Sequence, residues 1–214
     1  MAVLAAFFTR QAIWAAAFVL LLGAILYPSD MDGHYAVSRG GHESAVVVAV
    51  EDYGRHLNTI VPLATAVALR DFKGLSQIGG ATVFGTAATH VPKRLLNDVE
   101  VAGTRLGQRP NGGNHNMPSG HSALASAGAF IAVRRYSHWF GLIVWPVLLM
   151  TMAARYMLDA HTVSATIAGA IIGILVADIV TRPCAHVRRR VADALRGLWG
   201  KGALPARPAT AIQS

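Results

Sequence analysis

Apolar residues run along this chain in blocks too continuous for one face of a surface helix. Residues 11–27 (QAIWAAAFVLLLGAILY), 120–133, 139–154 and 162–181 are each predominantly apolar. A helix of that kind has little polar face to offer water and is predicted to lie in a bilayer, which about 20 apolar residues cross, or somewhat fewer with flanking anchors. Two weaker blocks fit the same pattern. Residues 55–70 hold a short apolar core, and 74–92 are rich in Gly, Ala and Thr, which lower hydropathy but allow close helix packing. The pattern predicts an all-α, polytopic membrane protein with a bundle of six transmembrane helices, plus a short amphipathic helix at 44–53 on the outer surface. Residues 1–181 form the membrane domain and 182–214 a basic tail. In that tail Val187, Val191, Leu195, Leu198 and Trp199 recur at helical spacing among arginines. Such a helix lies on the anionic inner leaflet; a solvated basic tail that fixes topology is the alternative.

Composition supports the membrane assignment. Of 214 residues 53% are hydrophobic and 14% charged, and the mean hydropathy is +0.42. A formal charge of +8 does not indicate nucleic-acid binding, because no soluble basic surface with groove-reading or aromatic elements accompanies it. The charge is instead sided. With the N-terminus inside, the inner loops and tail carry Arg10, Arg70, Lys73, Arg134, Arg135, Arg182, Arg188, Arg189, Arg190, Arg196, Lys201 and Arg207. The outer side carries Asp30, Asp32, Glu43, Glu51, Asp52, Asp98, Glu100 and Asp159. That asymmetry follows the positive-inside rule. Before residues 11–27 there is only Arg10 and after them no A-x-A pattern, so this block is expected to be an uncleaved first helix in preference to a signal peptide. The single Cys184 excludes an intrachain disulfide and a Cys-based zinc site. No metal, nucleotide cofactor or obligatory partner is predicted, and the oligomeric state is not legible. Asp178 and Arg182 are expected to form a structural ion pair, and His90 to pack as a polar residue against a neighbouring helix.

Three outward-facing places hold polar groups that are costly beside membrane helices: Arg109–Pro110, Pro118–Ser119–Gly120–His121, and Arg155 with His161. Their chemistry converges. Arg109 and Arg155 can clamp an oxyanion bidentately. The PSGH turn leads into a helix, so its backbone and the helix N-terminus present N–H groups to an anion, and Gly120 lets that backbone approach closely. His121 and His161 supply a nucleophile and a general acid. Guanidinium clamp, amide nest and paired imidazoles point to metal-independent phosphoryl transfer.

With these motifs the sequence resembles the type-2 phosphatidic acid phosphatase superfamily of integral membrane phosphatases. The family pattern is Lys, six residues, Arg-Pro; then Pro-Ser-Gly-His; then Ser-Arg, five residues, His, three residues, Asp. Arg109–Pro110 match the end of the first part, Pro118–His121 the second, and Arg155 to His161 most of the third, over about residues 90–175. The resemblance implies that His161 attacks phosphorus to form a phosphohistidine, and that His121 protonates the leaving alkoxide. Arg155, Arg109, Ser119 and the Gly120 amide would hold the equatorial oxygens. It implies a phospholipid or lipid A substrate in the bilayer and a bacterial inner-membrane enzyme with its site facing the periplasm. Within the superfamily the loop and third motif are similar to bacterial lipid A phosphatases of the 1-phosphatase type. Undecaprenyl pyrophosphate, phosphatidylglycerophosphate and phosphatidic acid remain open as substrates. So do phosphotransfer to another lipid and a weakened, lipid-binding role.

Three positions depart from the pattern. The first-motif lysine falls on Ala102; Lys93, nine residues earlier as though the loop carried an insertion, or Arg105 would supply the cation. Ala154 replaces the serine before Arg155, and Ala165 the closing aspartate that would orient His161. Asp159 is a nearby substitute of different geometry. Asn111 to Asn114 read as turn chemistry and His115 as a loop surface residue. His34, His42, His56, His138 and His186 show no ligand spacing and are assigned no role.

Overall fold

The computed structural model describes residues 2–40 and 42–200, and side chains over 9–40 and 42–197. Lys201, Arg207 and the side chains of Leu198 and Trp199 lie outside the described residues. The elements are α1 (Ala2–Leu26), α2 (Met31–Val37), α3 (Ala45–Asp52), a 3-10 turn (Gly54–His56), α4 (Leu57–Ala68) and α5 (Phe72–Leu95). A hairpin of β1 (Glu100–Val101) and β2 (Thr104–Arg105) follows, then α6 (Gly120–Ile131), α7 (Gly141–Met157), α8 (Val163–Val180) and α9 (Ala185–Gly200). The chain is an all-α membrane fold. Among the described residues, three helical stretches are long and apolar enough to cross a membrane: Thr9–Leu26, His138–Met157 and Val163–Val180. The other blocks read as spans fall on α4, α5 and α6. Of these α4 and α6 have 12 residues each, a rise of roughly 18 Å.

Small residues decide the packing. Helix α6 lies against α4, α5, α7 and α8, and backbones meet where side chains are missing. A Cβ on Gly173 would stand 2.1 Å from the Ala123 carbonyl oxygen, and one on Gly128 1.9 Å from that of Asn58. Asn58, fully buried, donates from Nδ2 to the carbonyls of Ala125 and Val144 and so ties α4 to α6 and α7. Gly169 in α8 faces the turn before α6, where a Cβ would stand 2.1 Å from the Ser119 oxygen. Gly169→Ala is therefore expected to cost about 1–3 kcal/mol by overpacking and to lower activity by displacing that turn. Gly79→Ala, with nothing within 4 Å of the new methyl, should leave both unchanged or raise stability slightly. Thermal melting and turnover of the two variants check this.

The ends of the bundle differ in charge. At one end Arg135, 1% exposed, donates from Nε and Nη2 to the two Asp71 oxygens at 2.6 and 2.7 Å, and from Nη1 to Gln77 and the Arg182 carbonyl. Asp71 also caps α5 by accepting from the Gly74 amide. The expected Asp178–Arg182 pair is replaced. Helix α8 stops at Val180, so Arg182 is off its helical register, and Asp178 is held by Arg10, Arg134 and the Trp14 indole. The apolar face of α9 docks on this same end: Val187 and Val191 are buried in the cluster of Ala66, Ile78, Ile131 and Tyr136. Arg188 and Arg189 remain exposed. His90 is exposed on α5, not packed against a neighbouring helix.

Candidate active site

The opposite end gathers the polar groups. Helix α7 carries Arg155 in its last turn, where its backbone carbonyl accepts from the amides of Ala160 and His161, both at 3.1 Å. That tight exit fixes Arg155 and His161 side by side. Thr162 then caps α8 by accepting from the Ala165 amide. Ser119 caps α6 by accepting from the Ser122 amide and hydroxyl, while its own amide donates to the Ala165 carbonyl at 2.9 Å. This bond joins the PSGH turn to the first turn of α8. Among the described residues, nothing beyond its chain neighbours and its own helix backbone lies within 4 Å of a Cβ built on Gly120, so the fold leaves room beside the α6 N-terminus.

His161 is 1% exposed, and its Nδ1 lies 2.8 Å from the Asn116 backbone carbonyl. A carbonyl oxygen only accepts, so Nδ1 carries the proton and Nε2 keeps the lone pair. Asn116 is in turn locked: its amide donates to Gly107, its Nδ2 to the Thr162 hydroxyl, and its Oδ1 accepts from the Thr162 amide. Thus a main-chain acceptor fixes the tautomer that the aspartate absent at 165 would otherwise fix. Ala165 is fully buried among Leu106, Met117 and Ala168. Asp159 serves elsewhere, bonded to His34 Nε2 at 2.7 Å and to the Ser38 hydroxyl. His34, assigned no role from sequence, is a buried strut holding α2 to the loop before His161.

Four cations converge on the two imidazoles. The charges of Arg155, Lys93 and Arg109 all bear on His161, and those of Arg155, Arg55 and Lys93 reach His121. Lys93 is 9% exposed and has no carboxylate partner among the described residues. The Nε atoms of Arg109 and Arg155 are buried and unpartnered there. Among the described residues one carboxylate is bonded to this cluster: Glu51 Oε1 accepts from Arg155 Nη1 at 2.5 Å and Arg55 Nη1 at 2.7 Å. Charge of one sign at such density is built to receive an anion. Glu51 and Arg55 were missed from sequence. Their spacing of four on a short outer helix was the available signal, but their partner Arg155 lies far along the chain.

The structure separates the two candidates for the first-motif cation. Between Lys93 and Arg109 the chain makes the β1–β2 hairpin, with Glu100 opposite Arg105 and Val101 opposite Thr104. Ala102 and Gly103 form its turn, with φ of 49° and 78°. Lys93 joins the cationic cluster, whereas Arg105 lies on β2 with its guanidinium bonded to Asn114 and near Asp98. Asn111 to Asn114 form the expected turn, with Gly112 at φ +80°. His115 is exposed.

Burial, reinforced by the charges of Arg155, Lys93 and Arg109, pushes the His161 imidazole down to about 2. Protonation below that value would be needed to remove its lone pair, so His161 is expected to stay neutral from pH 8 to pH 5. A histidine NMR titration in detergent checks this, and a His161 midpoint above pH 5 would contradict it.

The family model that matches residues 76–187 is that of the PAP2 superfamily. The chain belongs to the PAP2 superfamily. Among its relatives is the protein named Lipid A 1-phosphatase of Helicobacter pylori strain J99, 38% identical over 165 residues, or 77% of this chain and 83% of that one. The Lipid A 1-phosphatase of H. pylori strain 26695 is 41% identical over 133 residues, covering 62% of this chain and 70% of its own. No solved structure matches the chain. As a PAP2 protein it is a membrane lipid phosphatase, a phosphoric monoester hydrolase.

Proposed function

We propose that this PAP2 enzyme removes the 1-phosphate of lipid A through a phosphohistidine on His161. The observation that carries the chemistry is the buried excess of cations around His161 and His121, offset by Glu51. The lipid A assignment is supported by the relatives of that name. His161 Nε2 attacks phosphorus while the bond to the sugar oxygen breaks, and protonated His121 donates to that leaving oxygen. Arg155, Arg109, Lys93, the Ser119 hydroxyl and the Gly120 amide hold the three remaining oxygens as charge builds on them. Water, giving its proton back to His121, then cleaves the N–P bond and releases phosphate. The chain crosses the bacterial inner membrane six times with its N-terminus inside and this site toward the periplasm. The Arg134, Arg135 and Arg182 end, opposite the site, supports that orientation.

Phosphate release by the purified protein from lipid A, undecaprenyl pyrophosphate and phosphatidic acid, with chelator present, tests the assignment. Fastest release from lipid A supports it; preference for another lipid replaces the substrate and keeps the chemistry. In the same assay Lys93→Ala should lower kcat/KM by about 100-fold, the loss of one transition-state charge contact. Arg105→Ala should stay within about threefold, as expected for a partly exposed guanidinium. Equal losses in the two would contradict the assignment of Lys93.

A further inference from the structure

Arg55 stands in a position that the proposed chemistry cannot tolerate during turnover. Its Nη1 donates to Glu51 Oε1 at 2.7 Å and lies 3.0 Å from His121 Nε2. A guanidinium only donates, so His121 Nε2 must accept and carries no proton here. A general acid at this position must be imidazolium, with hydrogen on both nitrogens. Imidazolium N–H facing a guanidinium has no acceptor and meets a like charge. The remaining charged and titratable groups facing His121 are Arg155 from α7, Lys93 from α5 and His56 from the same 3-10 turn as Arg55. None of them is an anion. Arg55 must therefore leave His121 before the imidazole can take a proton, and an incoming phosphate supplies the acceptor that draws it away.

We propose that Arg55 is a further phosphate-binding residue, and that its transfer from His121 to the substrate phosphate releases His121 for protonation. The inference rests on the phosphatase reading above. The side chain is free enough to make the move, being 26% exposed at the edge of the site. Glu51 tethers it: the Oε1 that holds Arg55 also holds Arg155 at 2.5 Å, so both guanidinium groups are presented from one anchor. Arg55 and Glu51 lie four residues apart at the C-terminal end of α3 and the turn after it. The outer helix is thereby part of the binding machinery. Substrate binding and the arming of the general acid become one event, which keeps His121 unprotonated in an empty site.

The test is steady-state kinetics on lipid A across pH for wild-type, Arg55→Gln and Arg55→Lys enzyme in detergent. Arg55→Gln should raise KM about tenfold or more, since a charged phosphate contact is lost. It should also move the alkaline limb of kcat/KM, which reports His121 in the free enzyme, upward by about one pH unit. The alkaline limb of kcat should stay in place, because Arg55 has already left His121 in the complex. Arg55→Lys keeps a cation for phosphate but not the planar guanidinium whose Nη1 bridges Glu51 and His121. Its KM should stay within about threefold of wild type while its kcat/KM limb moves less than in the Gln variant, because the like charge beside His121 remains. A limb unmoved in both variants, or an unchanged KM in Arg55→Gln, overturns the proposal. A merely structural Arg55 would lower activity without moving either limb. Wild-type enzyme that releases no phosphate from lipid A fails the underlying reading and takes this inference with it, whereas active enzyme with fixed limbs fails this inference alone.

Discussion

His161→Ala will abolish phosphate release, by about 10⁴-fold or more, while leaving the protein folded. The imidazole is the attacking atom in the proposed scheme and has no substitute within the cationic cluster. His121 is occupied as the general acid of that scheme, and His115 is exposed on the loop. The bond that orients His161 comes from the backbone of Asn116. Asn116→Ala retains that carbonyl and loses the links to Thr162 and the longer 3.3 Å contact of its Oδ1 with His161 Nδ1, so it should cost about tenfold, far less than loss of the nucleophile. Turnover of the two variants side by side measures the difference. Comparable collapse in both would mean that the Asn116 side chain, and not its carbonyl, holds His161.

Asp71→Ala is expected to cost about 3–5 kcal/mol of stability, enough to lower the melting temperature by about 10 °C. The loss comes less from the ion pair itself than from what remains: Arg135, 1% exposed, would keep a full charge inside the bundle with one side of its guanidinium unpaired. The pair also has a pH signature. The hydrogen bonds from Arg135 hold the Asp71 carboxyl below its ordinary value. The stability it contributes is therefore fully present above about pH 4, the unfolded value, and is lost as pH falls through the lower folded one. Melting of wild type in detergent should drop over that acid range, and Asp71→Asn should be less stable at pH 7 with a flatter acid dependence. An Asp71→Ala protein that melts with wild type would show that the pair is not structural.

What the sequence made legible was local. PSGH and the five-residue step from Arg155 to His161 each lie within a turn or two of chain, so residue order reports geometry. Lys93 was harder, because the β1–β2 hairpin places it sixteen residues before Arg109 while α5 still delivers it to the site. Ala165 suggested an unoriented nucleophile. The orienting group is a backbone carbonyl, which every residue possesses and which no residue type announces. Glu51 meets Arg155 across 104 positions, a contact made by folding alone. The Asp178–Arg182 reading failed for a related reason: helical spacing applies only while the helix continues, and the pairing instead draws Arg10 and Arg134 from other elements.

The covalent intermediate is the central claim, and rapid quenching of wild-type enzyme during turnover of ³²P-labelled lipid A tests it most directly. The account predicts acid-labile, alkali-stable label on the peptide containing His161, absent in His161→Ala. Phosphate release without labelled protein at any quench time, or label on a different residue, would contradict it.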